Sequence, residues 1–239
     1  MKTPITILCL LMLTICFTLT SCIEEPVTNK EMTEEDAVEI VESAIVYSSD
    51  GMVSQVEETS EIAEETLTQP EANCSQSFDS TATKIHAQGS PITFAYDYEW
   101  GWELMCNRMI PQQIDLTYSM DGTYSSARMY SEDEGSFAGV ITGLTPIDTH
   151  FVYNGIFERI GYQESKVRNN NAFNSKLIIT TTNLKYNKKD EVVDSGSTTF
   201  TLTGDVVGGN SFSFSGTIVF NGNRAATITV NGNSYSVQL

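Results

Sequence analysis

From about residue 91 to the C-terminus, apolar side chains recur at every second position, a period that only half-buried β-strands satisfy. The C-terminal stretch is the clearest, with Phe212, Phe214, Gly216, Ile218 and Phe220 alternating with Ser211, Ser213, Ser215, Thr217 and Val219. Asn221-Gly222-Asn223 then turns the chain into Ala226, Ile228 and Val230, and Asn231-Gly232-Asn233 turns it into Tyr235, Val237 and Leu239. Asn-Gly accepts the positive φ angles that tight hairpins demand. Ser197 to Thr203, with Gly208-Gly209-Asn210 as its return, adds a fourth consecutive strand.

The same grammar runs upstream. Ile114, Leu116, Tyr118 and Met120 end at Asp121-Gly122, a turn signal, and Tyr124 to Tyr130 reads as the returning strand. Further strands are predicted over 137–142, 150–162 and 176–186, with Asn187 to Asp190 turning into Glu191 to Val193. The fold class is therefore mainly β, an antiparallel meander of roughly ten strands. Short connections without crossover helices fit a sandwich or an up-and-down barrel, which could be open.

Ahead of the strands lies an acidic segment. Residues 23–71 carry 15 acids against the single base Lys30, so this stretch alone holds −14 of the chain's −18. Thr33 and Asp36 have capping-box spacing. Ala37, Val38, Val41, Ala44 and Ile45 follow at helical intervals, Gly51 stops them, and Val53, Val56, Ser60, Ile62, Ala63 and Leu67 form a second set. A helical hairpin over about 33–67 is predicted. Its apolar stripe is thin, so it must either dock on the strands or stand as a partly disordered stalk. With no basic stripe, nucleic acid is excluded as a partner.

The most unusual local pattern is Phe94, Tyr96, Tyr98, Trp100, Trp102 and Leu104, which places six large residues on one side of a strand. Burying them would stabilise a fold by on the order of 10 kcal/mol, so core packing is the first reading. The functional reading makes Tyr98, Trp100 and Trp102 a platform for sugar rings or the rim of an apolar cavity. Asp97, Glu99 and Glu103 point to the opposite, wet side, which argues against a glycosidase pair. Glu132-Asp133-Glu134-Gly135 reads as a solvated acidic turn, with Ca²⁺ binding the alternative. GxSxG, HExxH and phosphate-cradling loops are lacking, and His86 and His150 have no ligand spacing. The expectation is a non-enzyme with no catalytic residue, metal or cofactor.

At the N-terminus, Lys2 precedes an apolar run that ends in Leu19-Thr20-Ser21-Cys22. This order is that of an export signal, and the last four residues resemble the lipobox of bacterial lipoproteins. The resemblance covers about 25 residues. The resemblance implies cleavage before Cys22, acylation of that residue and a lipid anchor that holds permanently. Ile23 and the acids after it fit outer-membrane sorting, facing the periplasm or the cell surface. A lipobox followed by acids and Asn- and Ser-rich strands is similar in manner to uncharacterised lipoproteins of Bacteroidota-type bacteria. With Cys9 and Cys16 leaving in the signal, Cys74 and Cys106 remain, and an exported pair reads as a disulfide; two buried thiols are the alternative. The chain thus divides into a signal (1–21), a lipidated cysteine with a short tether (22–32), an acidic helical spacer (33–71) and a β domain (72–239). The expected function is a non-enzymatic binding or structural module of the envelope, with a glycan or envelope protein as partner. The alternative is a carrier of lipid or another apolar ligand in an aromatic-lined barrel, and a hydrolase comes third.

Overall fold

A computed structural model describes residues 30–86 and 89–239; Cys22 and the lipobox lie outside them. Two helices come first, α1 (Glu34–Ile45) and α2 (Met52–Thr66), joined by a 3-10 turn at Tyr47–Ser49 and followed by the short α3 (Pro70–Asn73). Ten strands follow: β1 (Ser77–His86), β2 (Thr93–Asn107), β3 (Ile110–Ser125), β4 (Met129–Thr142), β5 (His150–Ser165), β6 (Ala172–Asn187), β7 (Val192–Val206), β8 (Ser211–Gly222), β9 (Ala225–Val230) and β10 (Asn233–Gln238). They form one antiparallel meander in strict chain order, and β1 does not pair with β10. The sheet is therefore open, neither a closed barrel nor a sandwich.

The capping box at the start of α1 forms as predicted, with Thr33 Oγ1 accepting from Asp36 N and Asp36 reaching back to Thr33 N. The hairpin takes the docked alternative. Ile40, Val41, Ala44, Ile45, Met52, Val53 and Val56 are buried in one core with Trp100, Leu116, Phe157, Leu177, Ile179, Leu202 and Ile228 from the sheet. Residues 34–66 are thus packed as an inner layer on the sheet.

The hairpin also reaches both free edges of the sheet. Lys84 on β1 pairs with Glu58 at 3.1 Å, while on β10 the Tyr235 hydroxyl donates to Glu34 at 2.7 Å. Asn231 and Asn233 donate to the same carboxylate. Between these ends Arg168 pairs with Asp36 and Glu39, and Arg128 also pairs with Glu39. The acids that gave this segment the character of a solvated stalk are in large part partners of basic and hydroxyl groups on the sheet rim.

Three local readings are corrected. β1 precedes the alternation that begins near residue 91, because as an edge strand it exposes most of its Ser, Thr and Asp side chains. No turn occurs at Asp121-Gly122, which sits inside β3; the chain turns at 126–128 instead. A Cβ on Gly122 would stand 2.0 Å from the Ala95 carbonyl, so glycine there serves the close approach of β2. Finally, Glu132 to Gly135 is β4 strand, with Glu132 and Glu134 outward and Asp133 buried.

Cys74 and Cys106 form the expected disulfide, with S–S 2.05 Å. It ties α3 to the end of β2 and so fastens the exit of α2 to the sheet. Closing a loop of this length restricts the unfolded chain, and removing the bond through Cys74→Ser with Cys106→Ser lowers stability by about 2–4 kcal/mol. Urea unfolding of the two proteins measures this difference.

Candidate functional site

The stripe on β2 lies beneath the hairpin. Tyr98 and Trp100 are buried, their rings stacked at 5.2 Å, and their polar atoms are spent on the helices. The Tyr98 hydroxyl donates to the Asp50 carbonyl at 2.9 Å and Trp100 Nε1 donates to Gln55 Oε1 at 3.2 Å. Trp102 is half-buried, stacked on Phe78 at 5.6 Å, with Nε1 donating to Thr66 Oγ1 at 3.0 Å. Tyr98 and Trp100 thus present no open platform for a sugar ring, because α2 covers the face such a ring would use. The three residues do share a role, since each indole or phenol holds the hairpin by one directed bond. Burial pushes the Tyr98 hydroxyl well above the usual phenol range, and the neighbouring Asp50 adds to it. It therefore stays a donor across the physiological range.

The seam is unusually polar for a core. Tyr153 on β5 donates to the Val56 carbonyl and meets Ser60 Oγ at 2.8 Å. Arg159 on β5 is buried, pairs with Asp133 and donates to Ser131 Oγ and to Ser43 Oγ of α1 at 3.0 and 3.1 Å. Gln163 donates to the other Asp133 oxygen at 2.7 Å and accepts from Ser175. Burial works against the Arg159 charge, but Asp133 beside it more than compensates, and the guanidinium holds its proton above its ordinary value.

Glu42 on α1 behaves in the opposite way, since burial, reinforced by neighbouring Glu39, raises its carboxyl above the usual range. A raised acid binds its proton more tightly folded than unfolded, so its contribution is present below the unfolded value and lost as pH rises through the folded one. At neutral pH the raised carboxyl therefore opposes folding. Glu42→Gln is therefore expected to raise the melting temperature at pH 7 by about 1–3 °C, an advantage that disappears in the same scan at acid pH.

Sequence reasoning missed a second polar cluster. His150 Nε2 meets Asp194 Oδ2 and His150 Nδ1 meets Thr149 Oγ1, both at 2.8 Å. Against the upward pull of partial burial, hydrogen bonds from His150, Ser195 and Asn187 hold the Asp194 carboxyl below its usual range. No motif spacing could reveal it, because β5 and β7 bring together residues 44 positions apart. The cluster stands on the surface at the start of β5, with side chains 27% and 29% exposed. Among the described residues, no group of three or more His, Cys, Asp and Glu is placed to hold a metal ion.

No protein family, curated protein or solved structure matches this chain.

The accessible relief lies on the opposite side, across the outward face of β1 to β5. Three shallow furrows of about 750, 480 and 450 Å³ lie there, the first sharing Glu99 and Ser119 with the second and Asp121 and Glu134 with the third. Their floors are small residues such as Gly101, Gly135 and Ala138, and their walls carry carboxylates and hydroxyls. Under the hairpin, by contrast, two small cavities of about 10 Å³ each have room for a single water molecule.

Proposed function

We propose that this chain is a lipid-anchored protein of the outer membrane whose β domain acts as a non-enzymatic binding or structural module of the envelope. The observation that carries the reading is the division of the sheet into a filled inner face and a furrowed outer one. A glycan or an envelope protein presenting hydroxyl or amine groups fits the outer surface, where carboxylates and Ser or Thr hydroxyls offer hydrogen bonds over a broad, small-residue floor. Cys22 would supply the anchor, and the few residues between it and Lys30 reach at most about 30 Å, holding the module close to the bilayer.

The test has two parts. The chain lacking residues 1–22 is screened against envelope glycans and by cross-linking in envelope extracts, with charge-reversed Glu99→Lys/Glu134→Lys protein as control. A partner that the control loses supports the reading, whereas silence in both screens together with measured turnover of a substrate overturns it. Separately, a palmitate analogue should label the protein in cells, and Cys22→Ala should abolish both the label and membrane fractionation.

One observation favours a second reading, a carrier of an apolar ligand. The hairpin closes an open, aromatic-lined sheet through hydrogen bonds and rim ion pairs, so the same inner face could receive an acyl chain if the hairpin lifted. Lipid co-purifying with the protein supports the carrier, and a ligand-free core in protein taken directly from membranes counts against it.

A further inference from the structure

One of the two small cavities differs in chemistry from the other. Its lining includes Asp50 and Gln55 from the hairpin and Tyr118 and Arg159 from the sheet, all at least nine-tenths buried. Each of the four keeps one polar atom without a hydrogen-bond partner among the described residues: Asp50 Oδ2, Gln55 Nε2, Tyr118 Oη and Arg159 Nε. Three of the four are fixed by their other bonds, and the Tyr118 ring by stacking on Phe137 at 5.3 Å. Asp50 Oδ1 accepts from Ser54, Gln55 Oε1 accepts from Trp100, and the Arg159 amino nitrogens are engaged by Asp133, Ser131 and Ser43. A buried polar atom left unmatched costs about 1–3 kcal/mol, so four on side chains that line one cavity call for a common partner.

We propose that this cavity is a built binding site for one water molecule, which joins the hairpin to the sheet. The donor set selects water over an ion. Gln55 N–H and Arg159 Nε–H point toward an acceptor, the Asp50 carboxylate requires a donor, and the Tyr118 hydroxyl serves as either. A water molecule donating to Asp50 and Tyr118 and accepting from Gln55 and Arg159 satisfies all four. An anion would face the Asp50 carboxylate and a cation the Arg159 guanidinium. The volume, about 10 Å³, admits one water and nothing larger. The second cavity borders the same Gln55 and Tyr118 but has no charged residue in its lining. Because α1 and α2 cover the site, exchange of its water requires the hairpin to lift, and the residence time of that water becomes a clock for hairpin opening.

A high-resolution crystal structure of the chain lacking residues 1–22 is expected to show one density peak in hydrogen-bond contact with all four atoms. Crystals grown in bromide or in rubidium should show no anomalous signal there. An empty cavity, direct pairing among the four side chains, or an anomalous ion overturns the proposal. In solution, oxygen-17 relaxation dispersion should count one fewer long-lived water in Gln55→Leu, and Tyr118→Phe, which keeps the ring and removes one bond, should shorten the residence time severalfold. An unchanged count and an unchanged residence time would each overturn it.

Discussion

Replacing Arg159 with methionine lowers the stability of the protein by about 3–5 kcal/mol, the usual result of stranding one member of a buried ion pair. Asp133 would remain with its side chain fully buried and only Gln163 donating to it. Asp133→Leu in the same chain should restore most of the loss, because the double variant leaves no unpaired charge and its side chains fill the same space. Denaturant unfolding of wild type, the single variant and the double variant decides the matter. If Arg159→Met costs less than about 1 kcal/mol, the pair does not hold α1 against β4 and β5.

A larger effect is expected from removing residues 30–68. The deletion takes away the inner layer and exposes Trp100, Leu116, Phe157 and Ile179 together, an apolar face far wider than a soluble monomer tolerates. The shortened chain is expected to lose cooperative thermal unfolding, to bind a hydrophobic dye and to associate. A sharp transition in a monomer would show that the sheet supports itself and that the hairpin is only a cover. The same deletion bears on the carrier reading, since a stable open sheet is what a ligand would need to find.

Strand number, meander order and hairpin class were legible because they follow from local chemistry. Alternation and the Asn-Gly pair near the C-terminus report on residues that touch their sequence neighbours, and Asn231 and Gly232 do adopt positive φ at the β9–β10 turn. The turn before β9 falls two residues past the Asn221-Gly222 pair, at Asn223 and Arg224, which both lie in the left-handed region. What failed was whatever depends on the third dimension. The hairpin's docking was hidden because its inward face carries Ser43, Ser54, Gln55, Thr59 and Ser60, side chains whose burial is met by partners within the hairpin and on the sheet. Those on the sheet lie far off in the sequence. Asp133 was misread for the same reason, since a buried carboxylate is recognisable only once Arg159 is known to face it. The aromatic stripe was correctly seen as two-sided, but which element covered it could not be read from β2 alone.

Because every strand pairs only with its sequence neighbours, the sheet can lengthen stepwise as the polypeptide emerges, yet it cannot be finished that way. The first helix is bonded to the last strand, Glu34 to Tyr235, across 201 positions. During synthesis the start of α1 therefore lacks this partner until β10 has been made. A chain cut short before β9 would lose the rim contacts of Glu34, while the bonds from β2 and β5 would still hold the second helix.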